Sequence, residues 1–242
     1  MSAFNEPFRV EHHALLFAWF ARAIILEAGP ERGEELLSTA VRLYGNQRGK
    51  RMAMRAAANG HRRIFWNYLV YQEWEAPAGQ VRKKINVLSP HLNARFVLCP
   101  WVEIWRENNL MEFGRHMCRG VDAALFQGFN PDIVMELRSN RADGAPFCDF
   151  HFPKEKLSLI SAVTSLIRRK MLHKNIVMPW EYHTGHVFKA MSDVIARGLG
   201  NQGMAVIQST LDTFEERFGA EARKTLTTYQ YVDFDKIPDG HA

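Results

Sequence analysis

The chain has 242 residues, 47% apolar and 24% charged, with a formal net charge of +5. This is ordinary globular usage, long enough to bury a core without staples. It excludes extended disorder, collagen-like sequence and a lone coiled coil. The basic excess could favour an anionic small molecule, but it is no nucleic-acid signature.

Residues 14–26 are almost wholly apolar, broken by Arg22. The run is shorter than the roughly 18–20 residues of a membrane span. It reads as a buried helix, packed in its own core or against another subunit. A homo-oligomer through this helix and no membrane association are expected. Gly29-Pro30 ends it and opens the next helix, marked by Leu36, Leu37, Ala40, Val41 and Tyr44. Gly45 reads as a left-handed cap, with Asn46 capping a third helix that runs to Ala58. That helix carries Arg48, Lys50, Arg51 and Arg55, read either as a solvated face or as an anion-binding one.

The stretch 63–74 is rich in aromatics and fits helix or strand. Beyond Pro77 and Gly79, Val81, Ile85 and Val87 alternate with polar residues as in a half-buried strand. Ser89-Pro90 breaks it, and 95–99 is its hairpin partner. A short helix over 101–108 and a longer one over 110–127 follow, stopped by Gly128. Ile133, Met135 and Leu137 mark a strand. Asp143-Gly144 marks a turn, and Cys148, Phe150 and Phe152 mark a second hairpin. From Leu157 onward the pattern is helical, punctuated by Gly198, Gly200 and Gly203, with strand-like residues at 227–232. The predicted fold class is α+β: an antiparallel sheet of two hairpins covered by helices, with helical N- and C-terminal extensions. One domain over 1–242 is expected, with a helical part (1–60), a part of sheet and helices (61–156) and a helical part (157–242).

No phosphate loop, dinucleotide fingerprint, nucleophile elbow or zinc knuckle is present. Three cysteines are too few for a disulfide scaffold, and no basic leader with a cleavage site is read. A reducing, cytoplasmic setting is the expectation. On one continuous helix Cys118 would lie over Gly114, with Asp122 leaning back toward it, making a recess with a sulfur and a carboxylate. The same cysteine could equally be a small core residue. Cys99, Cys118 and Cys148 could together ligate zinc or iron if sheet and helix converge, so a divalent metal ion is the candidate cofactor. Asp149 and His151 share a strand face and could pair, or be solvated. His183 and His186 share a helix side, with His183 pointing inward as a core histidine, a base or a ligand.

At these residues the chain resembles the L-2-amino-thiazoline-4-carboxylic acid hydrolases. The likeness lies in Cys99-Pro100-Trp101, Cys118 with Asp122, Gly128-Phe129-Asn130-Pro131, and Asp143-Gly144 followed by Cys148-Asp149-Phe150. The run from Tyr44 to Ala53 and Trp180-Glu181-Tyr182-His183 add to it. The resemblance implies hydrolytic opening of a cyclic amidine that bears a carboxylate, giving a carbamoyl-cysteine. In that chemistry Cys118 is a nucleophile or metal ligand, Asp122 orients water or holds the amidine, and His183 moves a proton. Arg48 or Arg51 pairs with the substrate carboxylate, and Trp101 is a further substrate-binding candidate. The cysteine pattern is also similar to vinyl-reductase-like regulatory modules, which gives the alternative of a non-catalytic small-molecule-binding or sensory domain.

Overall fold

The structure is a computed structural model that describes residues 7–76, 78–85, 91–156 and 158–239. It divides into two compact units, each assembled from separated stretches of chain. The predicted Pro77, Val87 and Ser89-Pro90 signals and the Leu157 boundary lie outside the described residues. Among the described residues no helix is long and apolar enough to cross a membrane.

The first unit comprises Met1–Tyr44, Pro100–Gly120 and Pro179–Val232. Its described elements are helical: α1 (Val10–Ala28), the first half of α2 (Pro30–Ala58), α4 (Pro100–Glu107), α5 (Met111–Cys118), α8 (Trp180–Phe218) and α9 (Ala220–Thr228). α1 is buried nearly all round, against α8, α4 and α5. Leu15, Leu16, Phe20 and Ile24 are fully covered inside the chain itself. Most of the apolar surface of α1 is thus spent inside the chain, while Leu26 near its C-terminal end is 72% exposed. α8 is broken at Gly200 (φ 57°, ψ −126°), a backbone conformation that glycine alone enters cheaply. The residues read as a C-terminal strand form the end of α9 and a 3₁₀ turn over Tyr229–Tyr231.

The second unit comprises Gly45–Cys99, Val121–Met178 and Asp233–Ala242. It holds the rest of α2, α3 (Phe65–Val70), α6 (Val121–Phe129), α7 (Leu159–Ile176), and strands β1 (Arg82–Ile85), β2 (Leu92–Leu98), β3 (Glu136–Ser139) and β4 (Cys148–Phe152). The strands form one antiparallel sheet in the order β1-β2-β4-β3. The two predicted hairpins thus join through β2 and β4, and the α+β class stands. β1 is exposed along its length, not half-buried, because it is an edge strand and Arg82, Lys83 and Lys84 keep it in water. The core packs Met52, Phe65, Tyr68, Tyr71, Phe126 and Phe129 with Phe152 of the sheet.

α2 does not stop at Gly45. It runs unbroken from Pro30 to Ala58. Its glycines serve close packing on α6. A Cβ on Gly49 would lie 2.2 Å from the Leu125 carbonyl oxygen, and one on Gly128 would lie 2.3 Å from that of Asn46. Two helix backbones can approach this closely only where side chains are missing. Conversely, the single helix expected over 110–127 is two. α5 ends at Cys118, residues 119–120 turn, and α6 begins at Val121.

Candidate functional site

In the second unit, Arg48, Arg51 and Arg55 recur at helical spacing along α2, so they share one face. That face is neither solvated nor open. All three guanidiniums converge on Glu73, which is fully buried in the segment after α3. Arg51 grips Glu73 with two bonds, Nε to Oε1 at 2.9 Å and Nη2 to Oε2 at 2.8 Å. Its Nη1 donates to the Phe234 carbonyl. Arg55 donates to Glu73 Oε1 at 2.6 Å, while Arg48 Nε lies 3.6 Å from Oε2. Burial alone would raise the Glu73 carboxyl, but the Arg51 guanidinium, helped by Arg55 and Arg48, holds it well below the usual range. Lys50, on the opposite side of the helix, is the solvated member of the run. Arg51, a predicted substrate-binding residue, has its fork closed on Glu73 and Phe234 and presents no open edge. Arg48 has the longest reach to the carboxylate.

Asp122 lies in the first turn of α6, in the same unit. Burial pushes its carboxyl up to about 6, and the Arg48 guanidinium pulls the other way. Burial also pushes the Tyr68 phenol up, and the Asp122 charge adds to that shift. Cys148 sits near enough for Asp122 to influence it as well. Burial raises its thiol, against an N–H from Arg141 at 3.3 Å from Sγ. Asn140 Oδ1 lies 3.8 Å from the same sulfur. A buried thiol held up in this way is a turn fastener more than a ready thiolate. Asp122, Arg48, Tyr68 and Cys148 thus form one electrostatic group.

The predicted recess of Cys118 over Gly114 is corrected. The helix break places Cys118 at the end of α5 and Asp122 on a different helix, so the one-turn spacing is lost. The space left by Gly114 is filled by the Trp105 indole, which a Cβ there would meet at 2.1 Å. Cys118 is half-buried in the first unit, and Cys99 is half-buried in the second. Among the described residues no three His, Cys, Asp or Glu side chains gather so as to hold a metal ion, and the expected three-cysteine site does not form. Asp149 and His151 do not pair either. Arg95 takes Asp149 at 3.1 Å, and His151 meets Asn93 at 2.5 Å.

The first unit holds a buried cluster that sequence reasoning largely missed. Trp101 Nε1–H donates to His13 Nδ1 at 3.0 Å. That bond fixes the proton of neutral His13 on Nε2, which lies 2.9 Å from the Tyr44 hydroxyl. The Tyr44 ring contacts His186 at 4.6 Å, and Trp180 meets Trp101, His13 and His183 edge-on. Trp101 therefore has its polar atom committed to positioning His13. His183 points inward, as its helical phase predicts, and is 1% exposed. A cavity of about 10 Å³ lies beside Tyr44, among Phe17, Val41, Met117 and Val187. It has room for about one water molecule and is otherwise apolar.

A four-stranded antiparallel sheet covered by helices, with three buried arginines on one buried carboxylate in the same unit, defines an α+β protein. Residues 8–152 match the model of the L-2-amino-thiazoline-4-carboxylic acid hydrolase family, and the chain belongs to that family. The matched stretch includes His13, Arg48, Glu73, Trp101, Asp122 and all three cysteines, and ends before His183. No curated protein and no solved structure matches the chain.

Proposed function

We propose that the protein is a hydrolase that opens a small cyclic amidine carrying a carboxylate, similar to L-2-amino-thiazoline-4-carboxylate hydrolysis. The observation that carries this reading is the Asp122 carboxyl, raised to about 6 beside the Arg48 guanidinium. Such a group exchanges protons in both directions near neutral pH. As a carboxylate it takes a proton from water while the water oxygen bonds to the amidine carbon. The carbon–nitrogen π pair moves onto the ring nitrogen, which takes up the remaining proton of the added water as its oxygen becomes the carbonyl. The acid form of Asp122 then gives its proton to the ring sulfur as the carbon–sulfur bond breaks and the carbonyl forms. One water is consumed, and the product is a carbamoyl-cysteine with a free thiol.

Three guanidiniums on one carboxylate make the group around Glu73 cationic, which suits a carboxylate substrate. Arg48, whose nearest approach to Glu73 is 3.6 Å and which lies in the same electrostatic group as Asp122, is the partner for that carboxylate. The reading needs neither Cys118 nor His183 to act together with Asp122, so their roles as nucleophile and proton carrier are tested separately by alanine. None of the cysteines forms a disulfide, which fits a reducing, cytoplasmic setting.

The test is incubation with 2-amino-thiazoline-4-carboxylate, following new thiol and the mass of the carbamoyl product. Asp122→Asn should lower kcat/KM by about 10²–10⁴-fold with an unchanged circular dichroism spectrum. Retention of activity within a few-fold would remove Asp122 from the proton transfer. A wild-type protein whose melting temperature rises with the compound while none is consumed would favour the binding-domain alternative.

A further inference from the structure

α7 carries Leu159, Ile160, Val163, Leu166, Ile167 and Met171, each between 56% and 82% exposed. At 100° per residue these six fall within an arc of about 140° on one side of the helix. The other side packs on its own unit. Ser165 Oγ donates to the Trp66 carbonyl, Ile176 is buried in the core, and Leu172 packs against it. The six side chains present roughly 800 Å² of apolar surface. That is above the 300–600 Å² of the largest patch on an ordinary monomer, and as an upper bound on what pairing could bury it is of the order of one partner's share of a standard interface.

We infer that this face is where two copies of the chain pair, with α7 antiparallel to α7 of the second copy. A two-fold axis near Ser165 sets Leu159 against Met171 and Val163 against Ile167, with Leu166 beside the axis. The stripe is therefore complementary to itself, as a two-fold interface must be. Lys170 and Lys174 lie in the same arc toward its C-terminal end; parallel pairing would stack each on its own copy, whereas the antiparallel arrangement sets Lys170 beside Ile160 and carries the lysines to opposite ends of the seam.

A lipid surface fits less well, because the two arginines of α7, Arg168 and Arg169, are turned into the protein, leaving Lys170 and Lys174 as its exposed cations. Arg168 donates to Asn67 Oδ1, Arg169 donates to the carbonyls of Val70 and Gln72, and His173 meets Glu75. An interfacial helix would direct these charges to the headgroups. This inference does not depend on the ring-opening reading.

The experiment is light scattering on the size-fractionated full chain at increasing concentration, together with flotation on vesicles containing phosphatidylserine. The wild type should run at twice the monomer mass and stay off the vesicles. Leu166→Glu and Ile160→Glu alter exposed positions and should raise the dimer dissociation constant by at least about 100-fold. If either variant misfolds, Leu166→Cys decides: oxidation should yield a covalent dimer, and absence of that dimer overturns the inference. A wild-type monomer at high micromolar concentration, a dimer indifferent to both glutamates, or vesicle binding without dimerisation would each overturn it too.

Discussion

Replacing Glu73 by glutamine keeps the shape of the side chain and removes its charge. The change leaves Arg48, Arg51 and Arg55 gathered around a neutral amide, all buried. Three short bonds are affected: two from Arg51 at 2.9 and 2.8 Å and one from Arg55 at 2.6 Å. Each charge-assisted bond contributes about 1.5–3 kcal/mol, and removing one partner of a buried ion pair costs about 3–5 kcal/mol. These terms overlap, so the expected loss is about 3–5 kcal/mol, a large share of the roughly 5–15 kcal/mol of a typical domain. The Glu73 carbonyl still accepts from the Met178 N–H, so the loss isolates the carboxylate. Urea denaturation followed by tryptophan fluorescence should show a midpoint lowered by about 1–2 M. The Glu73 carboxyl is depressed, so its contribution is present above about pH 4.5 and fades as pH falls. Wild type should therefore lose its advantage over Glu73→Gln on acidification. A midpoint shift worth less than about 1 kcal/mol at pH 7 would refute the buried-charge reasoning.

Asp122 gives the opposite pH signature. Its carboxyl is raised to about 6 from 3.8, so the folded state holds the proton more tightly and stability falls as pH rises through that window. Asp122→Asn should remove this slope and gain on the order of 2–3 kcal/mol at pH 8, measured by denaturation across pH. A variant with the wild-type slope would show the carboxyl to be ordinary. Gly49→Ala forces a methyl to 2.2 Å from the Leu125 carbonyl oxygen. It should cost about 3 kcal/mol or more, in contrast to the gain alanine normally brings to an exposed helix position. A melting temperature equal to or above wild type would mean that α2 and α6 are not in that contact.

The architecture was legible where the physical signal is local. Hydrophobic alternation located both hairpins, and the polar turn at Asp143-Gly144 joined the second one. Helical phase located α4 and turned His183 inward. The errors come from residues whose role is set by distant partners. Glycine means a stop at Arg119-Gly120 but close packing at Gly45 and Gly49, and only the presence of α6 distinguishes the two. The arginines of α2 read as either a solvated or an anion-binding face, and the sequence did not name the anion because Glu73 sits in an aromatic-rich stretch that favours neither helix nor strand. An acid, Glu73, set between Tyr71 and Trp74 in a stretch rich in aromatics was the available signal. His13 stands just ahead of the apolar run, and its partners Trp101 and Tyr44 are 88 and 31 residues away in the chain. Asp122 was found through its spacing to Cys118. The structure keeps the carboxylate but gives it Arg48 and Tyr68 as electrostatic neighbours.

The most direct test of the account is a carbon-13 titration of the Asp122 carboxyl, with Asp122→Asn assigning the resonance. A midpoint at about 6 is the expected result. A midpoint at or below about 4, the range of a solvated aspartate, would contradict a proton-exchanging role at this position.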